Sequence, residues 1–195
     1  MRVPSAVALA VLLAACSSNG GSDNGPCDTS GPATALVTVQ SSGGECVIDR
    51  TFTFTHPVTA ADLICQRTAN ELKLLGWQSE GGAEVSSWEF TVASYTGEGE
   101  YRIDSTTSES SFGMSLEPGV VACSPWLGEV WLNPSNPGST CTVTVTSDCH
   151  TGGGDGGIAH YRVQGTVSCT VGYQPTPTST FTVSGSFDFP NCFGG

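Results

Sequence analysis

A chain of 195 residues with a formal net charge of −12 and only six Lys and Arg residues cannot form the basic groove that nucleic acid requires, so a nucleic-acid partner is excluded. Its 38% hydrophobic content and four tryptophans supply a core for one domain despite 25 glycines and 11 prolines, which excludes a wholly disordered chain. Nine cysteines without a C-x-x-C pair argue against a zinc ribbon or a thioredoxin-like redox site.

The first sixteen residues read as an export and anchoring signal. Arg2 provides a positive start, Ala6 to Leu13 is apolar, and Ala14 and Ala15 are small residues before Cys16. The apolar run is too short for a spanning helix, which needs about 20 residues, and fits a secretory signal peptide over residues 1–15. The cleavage motif Leu13-Ala14-Ala15-Cys16 resembles the lipobox of bacterial lipoproteins. That resemblance implies cleavage before Cys16, acylation of its sulfur, and attachment to a membrane through lipid alone. An ordinary signal cut at an Ala-x-Ala site, with Cys16 merely nearby, is the competing reading.

Setting Cys16 aside leaves eight cysteines, Cys27, Cys46, Cys65, Cys123, Cys141, Cys149, Cys169 and Cys192. An even number in an exported chain predicts four disulfides. Residues 16–35 carry the lipidated cysteine and a linker rich in Ser, Gly, Asn and Asp, which reads as a flexible spacer whose second half is stapled through Cys27. Residues 36–195 form the domain. Short alternating runs of β-branched and aromatic residues, broken by Gly, Pro, Ser and Asn, predict an all-β fold, an antiparallel β-sandwich stapled by disulfides.

In chain order the expected strands are Ala35–Gln40, Cys46–Thr55, Leu63–Arg67, Glu71–Gln78, Ser87–Tyr95, Glu100–Asp104, Phe112–Glu117 and Glu129–Asn133. Thr59 and Gly76 would also suit the ends of a helix with Ala60, Ile64, Leu72 and Leu75 on one face. Arg67 to Asn70 leaves such a helix no apolar face midway, which favours two strands turning at Thr68–Asn70. Further on, Cys141, Val143, Val145, Ser147 and Cys149 alternate with polar residues, as do Tyr161, Val163, Gly165, Val167 and Cys169. A hairpin pairing Val143 with Val167 also pairs Ser147 with Val163, Cys149 with Tyr161, and Cys141 with Cys169. Directly opposed residues lie within disulfide range, so a Cys141–Cys169 bridge is predicted. In this register Asp148 falls on the solvent face. A last strand, Phe181 to Phe189, keeps the same parity after a turn at Pro175 and Pro177.

The segment Tyr95-Thr96-Gly97-Glu98-Gly99-Glu100-Tyr101 resembles the Y-x-G-x-G-x-Y turn of bacterial secreted and lipid-anchored β-sandwich proteins of unassigned function. Val183-Ser184-Gly185-Ser186-Phe187-Asp188-Phe189 is similar to their final strand. Leu63-Ile64-Cys65, with Asn70 and Leu72-Lys73-Leu74-Leu75-Gly76, and His160 to Thr166 resemble the mycobacterial 19-kDa lipoprotein antigen family. These resemblances imply a surface lipoprotein and no catalytic constellation.

Candidate chemistry is sparse. Asp148, His150, Asp155 and His160 surround a glycine-rich loop and include zinc-type ligands, but a solvated hairpin tip is the better account of them, and no metal or other cofactor is expected. Gly113-Met114-Ser115-Leu116-Glu117 falls short of a G-x-S-x-G nucleophile turn and reads as a strand with Met114 and Leu116 inward. Glu98 and Glu100, a possible acid pair, sit beside turn glycines. Trp88 alternates with Phe90 and Val92 toward the core. Trp126, following Cys123-Ser124-Pro125, is the tryptophan expected to be exposed for ligand binding. The expected function is therefore non-enzymatic: a cell-envelope or surface lipoprotein with a binding or structural role toward a protein or glycan. A hydrolase with an unrecognised site and an inhibitor-like module that binds a protease are the alternatives. Ser17, in place of the Asp that retains many lipoproteins in the inner membrane, favours the outer membrane.

Overall fold

The computed structural model of the chain describes residues 27–28, 30–42, 46–56, 61–80, 83–104, 106–107, 109–116, 122–123, 130–132, 138–153, 159–172 and 180–194. No helix occurs among them. The strands are β1 (Ala33–Ser42), β2 (Cys46–Val47), β3 (Asp49–His56), β4 (Ala61–Arg67), β5 (Glu71–Glu80), β6 (Ala83–Ala93), β7 (Gly99–Asp104), β8 (Ser111–Leu116), β9 (Ala122–Cys123), β10 (Val130–Leu132), β11 (Thr140–Gly153), β12 (Ala159–Gly172) and β13 (Thr180–Gly194). The chain is an all-β, disulfide-stapled fold.

Thr59 to Gly76 holds no described helix: β4 and β5 pair antiparallel, and Thr68 N–H closes the turn on Glu71 C=O at 2.8 Å. The expected strand from Cys46 to Thr55 is two strands. Ile48 is buried at the break and exchanges hydrogen bonds with Ser41, its N–H donating to Ser41 Oγ and its C=O accepting from Ser41 N–H. That diversion lets β2 leave the main sheet and pair with β9, a short strand absent from the expectations.

One sheet of eleven strands runs β10-β8-β6-β5-β4-β13-β12-β11-β7, with β1 branching from β13 and β3 from β1. The branch point makes two layers of this one sheet. The first part of β13 (Thr180 to Asp188) pairs with β1 on one edge, and β12 follows the other edge. Its last two residues, Phe193 and Gly194, pair in parallel with Gln66 and Arg67 of β4. One layer is thus β3-β1-β13-β12-β11-β7, the other β4-β5-β6-β8-β10, and the two-residue parallel pair is the ladder joining them.

Between these junctions β13 changes face. Buried positions are odd from Phe181 to Phe189 and even at Pro190, Cys192 and Gly194. The register against β12 slips by one residue there. Pro190 lacks an N–H, which suits it to a bulge rather than to a regular central strand. The flip turns Cys192 inward, where it bonds Cys65 of β4. A disulfide therefore reinforces the seam where the hydrogen-bond ladder is shortest.

The core lies between the layers. Phe54 of β3 meets Trp88 of β6 edge-on at 6.0 Å, and Trp88 in turn meets Phe189 of β13 at 6.5 Å. Phe90 and Phe112 stack at 4.6 Å. Full burial of such a side chain contributes about 1.5–3 kcal/mol. Trp88 fits because Gly76 opposite it has no side chain; a Cβ there would lie 2.6 Å from the indole Cε2. Met114 is also fully buried, as its alternation predicts.

Candidate functional site

The hairpin β11–β12 follows the expected register from Thr140 to Val145, and Cys141 bonds Cys169 across it. Beyond Val145 the expected pairing is corrected. Ser147 faces Gln164 rather than Val163, and Cys149 faces Arg162 rather than Tyr161, because Thr146 is an extra residue in the ladder. Such a bulge re-aims the side chains that follow it. Asp148 consequently sits opposite Val163 and points inward; its side chain is 2% exposed instead of lying on the solvent face.

A buried carboxylate requires partners, since desolvation otherwise penalises its charge heavily. Arg67, at the end of β4, donates Nε–H to both Asp148 oxygens at 3.1 and 3.0 Å. Tyr95, just past β6, donates its hydroxyl to Oδ2 at 2.9 Å. The Arg67 guanidinium lies 4.0 Å over the Tyr161 ring and 5.6 Å from the centre of Tyr95, so aromatic faces enclose the cation. Burial first, then the bond to Asp148 and its charge, pushes the Tyr95 phenol well above the usual tyrosine range. It stays protonated and acts as a donor, not as a base.

The Y-x-G-x-G-x-Y segment holds this cluster in place. Gly97 is buried with φ +112°, and Ser94 also adopts a left-handed φ of +56°. A Cβ at Gly97 would meet Asp148 Oδ2 at an ordinary 3.5 Å, so the backbone conformation, not crowding, requires glycine. Tyr101 donates its hydroxyl to Gly97 C=O at 2.7 Å and accepts from Thr96 N–H at 3.1 Å. Glu98 accepts the Asp148 N–H at 3.4 Å, and Tyr95 N–H donates to Asn70 C=O at 3.0 Å. The motif is thus a clasp that fastens the β6–β7 turn to a buried ion pair.

A second polar cluster lies beside it. Arg162 makes a two-point contact with Asp188, Nε to Oδ1 at 3.1 Å and Nη2 to Oδ2 at 2.6 Å, and Gln164 adds a third bond. The bond to Asp188 pushes the already high Arg162 pKa higher still. Its remaining Nη1 donates to the Asp28 carbonyl at 2.7 Å, and Cys27 bonds Cys149. The end of the linker is therefore fixed to the sheet by one covalent and one charged contact.

The other expected site residues fall as follows. Cys65 pairs with Cys192, and the backbone register sets Cys46 directly opposite Cys123. Leu13, Ala14, Ala15, Cys16 and Trp126 lie outside the described residues. His150 is exposed with its ring edge-on to Tyr161 at 5.2 Å, whereas the His160 ring packs 5.4 Å from Phe193. Among the described residues, no three His, Cys, Asp or Glu side chains converge to hold a metal. Ser115, in β8, is buried at 3% exposure. An open groove of about 420 Å³ runs along β7, lined by Glu100, Tyr101, Arg102, Thr106, Glu109 and Ser110. A smaller, apolar cleft of about 280 Å³ lies by the β13 bulge, between Pro32, Leu63, Phe189, Pro190 and Phe193.

Sequence reasoning missed the Arg67–Asp148–Tyr95 cluster. The available signals were a tyrosine at each end of a glycine turn and a charged residue inside an alternating strand. No protein-family model, curated protein or solved structure significantly matches the chain.

Proposed function

We propose that this chain is a lipid-anchored protein of the cell envelope or surface, held in the outer membrane by acyl groups on Cys16, whose domain binds or scaffolds rather than catalyses. The carrying observation is the sulfur count. Of nine cysteines, six form three disulfides and two more stand opposite each other in β2 and β9. Cys16 is the one left over, and it follows Leu13-Ala14-Ala15 after an apolar run. Each buried methylene contributes about 0.8 kcal/mol, so two or three chains hold a protein on a membrane that one chain holds only marginally. The acidic polypeptide is repelled by anionic lipid, so the attachment rests on the acyl groups.

The polar clusters support the non-catalytic half of the reading. Asp148 and Asp188 are both engaged by arginines, and Tyr95 is a locked donor. The groove along β7 presents mixed charges and hydroxyls to solvent, a surface suited to a protein or glycan partner. Mass spectrometry of the protein from its own host tests the anchor. The expected product begins at Cys16 and carries fatty acid, and Cys16→Ala releases it from the membrane fraction. An unacylated mature chain with Cys16 bridged to another cysteine overturns the reading.

A further inference from the structure

We infer that the groove along β7 takes an extended basic peptide, which joins the sheet as an added strand; this names a partner for the binding role proposed above and rests on it. β7 ends its layer and pairs with β11 on one side. Its Asp104 end shows which backbone groups face the other way. Asp104 N–H donates to Thr107 Oγ1 at 2.9 Å, and Asp104 C=O accepts from Thr107 N–H at 3.1 Å, so both groups point away from β11. In an antiparallel ladder that orientation recurs at every second residue. Arg102 and Glu100 therefore also direct N–H and C=O outward.

The neighbouring ladder has the same parity. Cys141, level with Ile103, turns its backbone groups to β7, which leaves Cys141 and Cys169 a non-hydrogen-bonded pair. Their Cα atoms are 4.0 Å apart, on the close side as such pairs are. Asp104 uses its outward groups in its own turn. Glu100 and Arg102 have no second backbone partner among the described residues, and both are exposed. The edge thus offers solvent two donors and two acceptors in strand register, the features that strand addition uses.

Charge selects the occupant. The groove of about 420 Å³ beside this edge carries Glu100 and Glu109, and past Ala93 and Ser94 it continues into a hollow of about 700 Å³ that adds Glu71. Arg102 is the cation on these walls, and Asp104 neutralises it at 2.8 Å. The three glutamates meet no ion-pair partner among the described residues. A second copy of this chain, at net charge −12, is repelled from such an edge, whereas a basic segment is drawn to it. An antiparallel strand sets successive residues opposite Arg102, Tyr101 and Glu100. A neutral hydroxyl suits the first, because Asp104 already holds the guanidinium. A β-branched apolar residue suits the second, beside half-buried Tyr101, and Lys or Arg suits the third. Thr-Val-Lys is such a sequence, and a further Lys two residues on meets Glu98.

The test titrates the mature protein, purified from its host, with fluorophore-labelled Ser-Thr-Val-Lys-Ser-Lys-amide, read by anisotropy and by hydrogen exchange. Saturating peptide should slow exchange at the Glu100 and Arg102 amides. N-methylation of the peptide's Thr and first Lys, whose amides face β7, should weaken binding by roughly tenfold, whereas N-methylation of Val, whose amide faces away, should leave it unchanged. Glu100→Lys should weaken this peptide several-fold and favour one with Glu in place of the first Lys. Binding without slower exchange at those two amides, or with equal sensitivity to every N-methylation, overturns strand addition and leaves the binding role standing. No binding at millimolar peptide, or protection of the same amides that rises with protein concentration alone, overturns the partner assigned here. Cleavage of the peptide overturns the non-catalytic reading as well, so the two failures are distinguishable.

Discussion

Replacing Cys65 and Cys192 together by alanine tests whether the two layers are held by a seam rather than by a continuous ladder. The bond spans 127 residues and ties β4 to the tail of β13. In the chain-entropy treatment a loop of that length contributes about 4.9 kcal/mol, and about 4.4 if the remaining cross-links shorten it to roughly 70 residues, because only the logarithm of length enters. The two side chains are 2% and 0% exposed, so a small packing loss adds in the same direction. For a domain of this size each kcal/mol moves the melting temperature by about 2–4 °C, giving an expected drop of roughly 9–20 °C by calorimetry. Hydrogen exchange should quicken in β4, β5 and β6 more than in β11 and β12. Removing Cys141–Cys169, which spans 28 residues inside one layer, is worth about 3.6 kcal/mol and should leave that contrast absent. A melting drop under about 3 °C, or uniform acceleration of exchange, would refute the seam argument.

Asp148→Ala strands the Arg67 charge and should cost about 3–5 kcal/mol in urea unfolding, whereas Arg67→Met/Asp148→Leu should recover most of it; a double-variant loss equal to the sum of the two single-variant losses would show that the pair is not coupled. Because the Tyr95 pKa is raised in the fold above the ordinary 10.0, the folded state holds its proton longer than the unfolded chain. Stability from Tyr95 is therefore full below pH 10.0 and declines above it, by up to about 1.4 kcal/mol per pH unit, and Tyr95→Phe should flatten that part of a pH–stability profile. Gly185→Ala places a Cβ against the Leu36 carbonyl oxygen and should cost about 1–3 kcal/mol by thermal melt, with no loss disproving the close approach of β1 and β13. Non-reducing peptide mapping should link Cys46 to Cys123, since their backbones are directly opposed; two free thiols there would remove one support of the sulfur count.

Strand positions, inward faces and the Cys141–Cys169 bond were legible because they depend on a two-residue period and a local hairpin. The bulge at Thr146 was not, since neither glycine nor proline marks it. The partner that holds the inward Asp148 carboxylate, Arg67, is 81 positions away. Cys27–Cys149 and Cys65–Cys192 were equally out of reach, because their separations of 122 and 127 residues depend on the arrangement of the whole sheet. Pro190 inside an alternating run was a readable warning of irregularity, and the face change at that point is its outcome. The tyrosines of the glycine turn were legible as a motif, but not as a grip on a buried carboxylate.

Because β13 lies between β4 and β12 in the sheet and is built from residues 180–194, 179 residues must be synthesised before the strand that both layers share exists. Until then β4, β12 and β1 each present an open edge, and the Cys65–Cys192 bond has only one of its sulfurs. The domain therefore closes in a late, concerted step from long-range pairings, which makes folding slow and leaves the nascent chain extensible until its last strand is made.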